Sequence, residues 1–83
     1  MTISADQIRQ ARKLLGWHRG DVAIRARGIT GNTVGKAEGA FPGSPPTPEQ
    51  LQEIRGVLEA AGIEFTIGTP GVKLRRTGVR MPD

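Results

Sequence analysis

Asn32, Thr33 and Lys36 carry the side chains best suited to reading another molecule: an amide that donates and accepts, a hydroxyl beside a methyl, and a cation on a long stem. They stand in Gly28-Ile-Thr-Gly-Asn-Thr-Val-Gly-Lys-Ala-Glu-Gly39, a turn followed by a short helix over residues 30–39. Thr30 is the expected N-cap, Ile29 and Val34 hold the N′ and N4 positions of a hydrophobic staple, and Gly39 closes the helix. At about 100° per residue, Val34, Ala37 and Phe41 fall on an inner side and Asn32, Gly35 and Lys36 on an outer one. That outer side offers hydrogen bonding with little bulk, which suits close approach to a large partner.

Other chemistries lack their residues. With no cysteine and a lone His18, disulfides, thiol catalysis and a recognisable metal cluster are not expected, and no cofactor is implied. Gly31-Asn-Thr-Val-Gly-Lys36 has three residues between its glycines where a phosphate-binding P-loop needs four, and Ala37 stands where that loop needs Ser or Thr. No nucleophile, base and orienting acid assemble, so an enzyme is not expected. Arg19-Gly-Asp21 matches a cell-adhesion tripeptide, but nothing else marks the chain as extracellular. No apolar run approaches the ~20 residues of a membrane span, and a signal-peptide stretch is missing, so a cytoplasmic protein is expected.

The chain has 83 residues and a net charge of +4, unevenly placed. Residues 9–36 hold Arg9, Arg12, Lys13, Arg19, Arg25, Arg27 and Lys36 against Asp21, a surplus of +6, whereas residues 38–64 sum to −4. The basic half contains the polar helix, which points to a polyanionic partner; the plainer account is that these cations solvate helix surfaces.

The elements that must hold this helix are well marked. Residues 4–16 form a first helix: Ser4 and Gln7 make a capping box, Ile3 and Ile8 staple the entry, and Ile8, Ala11 and Leu15 form a stripe that Leu14 widens, before the Gly16 stop. Arg9, Gln10 and Lys13 are left to solvent. Trp17 fills core between helices rather than stacking on a base. A second short helix with a weak start at His18 runs to about Ala26, with Val22, Ala23 and Ala26 inward and Arg19 and Arg25 outward. Residues 40–46, with three of the six prolines, form an extended connector that Phe41 anchors to the core. Thr47-Pro-Glu-Gln50 starts a fourth helix running to Ala61, with Leu51, Ile54, Val57 and Leu58 inward and Gly62 as its stop. Alternation in Ile63–Ile67 and Val72–Arg75 then reads as a β-hairpin, which packs on the helices or pairs with another chain.

Residues 7–39, Gln-Ile-Arg-x-Ala-Arg-x-Leu-Leu-Gly-Trp…Asp-Val-Ala…Gly-Ile-Thr-x-Asn-Thr-Val-x-Lys-Ala-Glu-x-Gly, resemble the Cro and phage-repressor type of helix-turn-helix, the XRE family. Leu58-Glu-Ala-Ala-Gly-Ile-Glu-Phe65 and the Gly-Val-x-Leu-Arg strand extend the likeness to small stand-alone bacterial members. Length and composition point to one domain over 1–76 and a disordered basic tail over 77–83, and the resemblance implies a mainly α, lambda-repressor-like bundle of four helices with a C-terminal hairpin over 63–75. It implies a transcriptional regulator on double-stranded DNA, with the second helix of the motif in the major groove. Gly31, Asn32 and Lys36 then fall at base-facing positions, with Asn32 suited to adenine and Lys36 to guanine. Thr30, at the helix start, is counted with the DNA-contacting residues, and Thr33 meets a thymine methyl or a phosphate. His18 and Arg19 match the phosphate-contacting start of the preceding helix. Arg12 matches a position that pairs with the Glu near the end of the recognition helix, here Glu38, with phosphate as its other possible partner. A homodimer is implied, with the 63–75 hairpin as a candidate interface; the alternative is a protein-interaction module such as an antitoxin or antiactivator. The sequence departs from the family in three places. The Ala23–Gly28 spacing is one residue long, Arg19 replaces a usual Gln, and Gly31 lacks a reading side chain.

Overall fold

The structure, a computed structural model, describes residues 3–66 and 71–74. The chain is mainly helical, with four helices and a small antiparallel sheet: α1 (Ala5–Leu15), α2 (Arg19–Ala23), α3 (Gly31–Ala37), α4 (Pro48–Ala60), β1 (Ile63–Phe65) and β2 (Val72–Leu74). The rest of the hairpin turn and the expected tail over 77–83 lie outside the described residues.

Local chemistry accounts for the helix starts. The Ser4 and Thr47 side chains accept from the backbone N–H of Gln7 and Gln50, whose own side chains accept in return from the Ser4 and Thr47 N–H. Thr30 Oγ1 accepts from Thr33 N at 3.2 Å. At the end of α3, Gly39 N donates to Lys36 O and Ala40 N to Gly35 O, the paired bonds of a Schellman stop. This turn requires Gly39 at φ 73°, a conformation that other residues adopt at a cost.

Each element contributes to one core. α1 gives Ile8 and Ala11, α2 Val22, α3 Val34 and Ala37, α4 Ile54, Val57 and Leu58, and the strands Ile63 and Val72. α2 packs against α3, α4 crosses α1 and α2, and the sheet lies with β1 on α4 and β2 on α1. The register pairs Ile63 with Leu74, Glu64 with Lys73 and Phe65 with Val72. The Gln7 side chain ties α1 to the hairpin by donating to the Gly71 and Thr66 carbonyls at 3.0 and 3.3 Å. Trp17 is half-buried against the core, as its position between helices leads one to expect. Among the described residues no helix is long and apolar enough to cross a membrane.

Three expectations are corrected. Leu14 is exposed, because Ile8, Ala11 and Leu15 already fill the inward sector and Leu14 lies at its edge. α2 ends at Ala23 rather than near Ala26: Arg25 N and Ala26 N bond back only three residues, to Val22 O and Ala23 O. The turn, not the helix, thus absorbs the extra residue before Gly28, and it leaves Ile24 78% exposed. Phe41 does not join the core, since the chain reverses at Gly39 and the helical period stops before it.

Candidate nucleic-acid interface

Glu38, the C-cap of α3, is the organising charge of this region. It is 2% exposed, the lone buried charged residue among those described. Arg12 from α1 grips its carboxylate with two nitrogens, Nε to Oε2 at 2.5 Å and Nη2 to Oε1 at 2.9 Å, and gives Nη1 to the Trp17 carbonyl at 3.0 Å. Those hydrogen bonds to Glu38 hold the Arg12 guanidinium above its ordinary value, against the opposing effect of burial. Two further arginines converge on Glu38. Arg19 Nε reaches Oε1 at 3.1 Å, and Arg9, expected to be left to solvent, donates to the Glu38 carbonyl at 3.1 Å. One buried carboxylate therefore binds the ends of α1, α2 and α3 together.

The Arg12–Glu38 contact is the pair the family likeness implies; the Arg19 contact was not foreseen. Arg19 stands at the start of α2, but its Nε is committed inward, and its guanidinium lies 4.9 Å from the centre of the Phe41 ring. The side chain is 31% exposed, so part of the fork remains open to solvent. His18 is exposed at the N-cap of α2, where its backbone N–H donates to the Asp21 carboxylate at 2.8 Å. Asp21 thus secures a helix start that looked weak from His18 alone.

On α3, Asn32 is exposed. Thr33 is half-buried, with its hydroxyl 3.2 Å from that of Thr30, so both oxygens take part in the helix start. Gly31 lies beside α2, where an added Cβ would sit 3.9 Å from Gly20 N, an ordinary contact. Lys36 is half-buried along the proline-rich loop: a Cβ at Gly43 would be 3.1 Å from Lys36 Cε. Gly35 corrects the expected outer face, because it is buried under Phe41. A Cβ there would meet the ring at 2.2 Å, so the loop folds back on a bare patch of α3. Arg19, Phe41 and Gly35 thus form a stack between α2, the loop and α3.

The outer surface is narrower than the sequence suggests. Asn32 is its exposed point, Lys36 follows one turn later on α3, and His18 and the part-open Arg19 stand at the start of α2, whose Gly20 lies beside Gly31. The basic surplus is also divided, since Arg25 lies across Trp17 at 4.4 Å, near α4. No group of three His, Cys, Asp or Glu placed to hold a metal occurs among the described residues. Comparison of this chain with protein-family models, with curated proteins and with solved structures gives no match.

Proposed function

We propose that this chain is a sequence-specific, double-stranded-DNA-binding transcriptional regulator of the lambda-repressor-like type, non-catalytic and cytoplasmic, that reads the major groove with α3. The observation that carries this reading is the exposed Asn32 in the N-terminal turn of α3, with Lys36 one turn further along the same helix and the part-exposed cation of Arg19 at the start of α2. An exposed amide at a helix start can bond bidentately to an adenine edge, and the two cations supply phosphate or guanine contacts. Gly31 leaves bare backbone beside Gly20 N of α2, so that backbone can come near the partner. Arg19 acts as a held cation: Glu38 and Phe41 fix its stem and its open nitrogens face phosphate.

A DNA titration across salt concentrations tests this. With about three phosphate contacts per copy, affinity falls roughly fortyfold between about 50 and 200 mM salt. Asn32→Ala relaxes preference at one base position at ~1–3 kcal/mol, whereas Arg19→Ala weakens binding to every sequence alike. Equal effects of both changes on matched and mismatched DNA would overturn the division of roles. A salt-independent partner would favour a protein-interaction module of the antitoxin or antiactivator kind. DNA half-site reading calls for two copies, and the outer edges of the hairpin are one place for them to meet, although Ile63 and Val72 on its inner side are spent on the chain's own core.

A further inference from the structure

A groove of about 560 Å³ opens between α4 and the segment that follows α1 and α2. Gly56, Val57 and Ala60 form one side, Trp17 and Arg25 the other, and Glu53 lies at its edge. We propose that this groove is a self-association surface, occupied by α4 of a second copy of this chain. The inference goes beyond the DNA reading and stands without it.

Gly56 is the first reason. It sits inside α4 with an unstrained φ, and beyond its own helix turn no described atom lies within 4 Å of a Cβ placed there. Nothing within the described chain requires a glycine, yet glycine in a helix interior is about 1 kcal/mol worse than alanine. A bare position next to Ala60 lets a second helix come close, because interaxial distance follows the side chains at the contact.

Charge selects the occupant. The turn after α2 carries Arg25 and Arg27, and α4 carries Glu49 and Glu53; Glu53 already accepts from Arg27 N at 3.1 Å. A groove with a cationic wall and an acidic helix is complementary to itself. A two-fold sets Arg25 of each copy against Glu53 of the other, the arrangement an isologous interface needs. A stable dimer buries ~800 Å² per partner, more than the groove alone, so the contact must spread over the same turn. There Ile24, beside Arg25, is 78% exposed, the most uncovered of the large hydrophobic residues among those described.

Sedimentation equilibrium of the full chain, without DNA, across the micromolar range is the test. The expected result is a concentration-dependent dimer for the parent chain and a monomer for Gly56→Leu with unchanged helical circular dichroism. Arg25→Glu weakens the dimer at least tenfold, and Arg25→Glu combined with Glu53→Arg restores it, since the swapped charges still meet across the two-fold. A parent chain monomeric throughout overturns the proposal. So does a dimer indifferent to Gly56→Leu, which would place the interface elsewhere, the hairpin edge included. If Gly56→Leu fails to fold, the charge swap decides: absence of rescue in a folded double variant overturns it too. Because DNA takes no part, failure here leaves the DNA reading standing, and the reverse holds.

Discussion

Replacing Glu38 by Ala is expected to destabilise the folded chain by about 3–5 kcal/mol, the range found when one partner of a buried ion pair is removed. The carboxylate is fully enclosed, and the Arg12 side chain that grips it is only 14% exposed. Without Glu38, Arg12 keeps one bond to the Trp17 carbonyl and no ion pair among the described residues, while its neighbour Arg19 is a second cation. Arg19, at 31% exposure, can turn to water; Arg12 cannot do so without disturbing the α1–α2 junction. Since small domains are stable by only ~5–15 kcal/mol, the loss is a large share of the total. Glu38→Gln should cost less, because an amide oxygen still accepts from one guanidinium. Urea unfolding followed by Trp17 fluorescence measures both. A loss below about 1 kcal/mol for Glu38→Ala would mean that water replaces the carboxylate freely, as it does for surface pairs.

The helix starts were legible because their signals are local: Ser4 with Gln7, Thr30, and Thr47-Pro48 with Gln50 each act within one turn. The core stripes of α1 and α4 were legible for a similar reason, since period reports which side faces inward. What escaped depends on chain reversal. Phe41 follows α3 at a helical interval, but the Gly39 stop turns it back onto Gly35, and no periodicity can express that. Arg19 looked like a free outward cation because nothing in its own segment announces a carboxylate nineteen residues later. The one-residue excess before Gly28 was legible as a count but not as a place, and the short α2 with its exposed Ile24 is where it went. A hint for the Arg19 contact did exist: a single acid, Glu38, closes a stretch with a +6 surplus, and such an acid attracts more than one partner.

The sign of Gly35→Ala should reverse between two backgrounds. In the parent chain the new methyl would meet Phe41 Cδ2 at 2.2 Å and Cε2 at 2.3 Å, closer than atoms pack, so the ring has to leave its seat. Overpacking of this kind costs about 1–3 kcal/mol. The gain from replacing a helical glycine by alanine, about 1 kcal/mol, offsets only part of that. Phe41 is 38% exposed and lies outside the core, so it has room to swing into solvent and the fold should survive. In a Phe41→Ala background the obstruction is gone, and Gly35→Ala should then stabilise by up to ~1 kcal/mol. The resulting coupling of roughly 2 kcal/mol is of the size expected for residues in direct contact and well above the error of additivity for independent sites. DNA affinity should follow the ring rather than the helix. Displacing Phe41 frees the Arg19 guanidinium, now 4.9 Å from the ring centre, and releases the loop that flanks Lys36. Gly35→Ala and Phe41→Ala should therefore weaken binding by similar factors, and the double variant by no more than either. If Gly35→Ala stabilises the parent chain outright, the ring does not rest on Gly35 in solution and the loop is held by something else. If stability couples but DNA binding does not change, the stack braces the fold alone, and Arg19 reaches phosphate without the aid of Phe41.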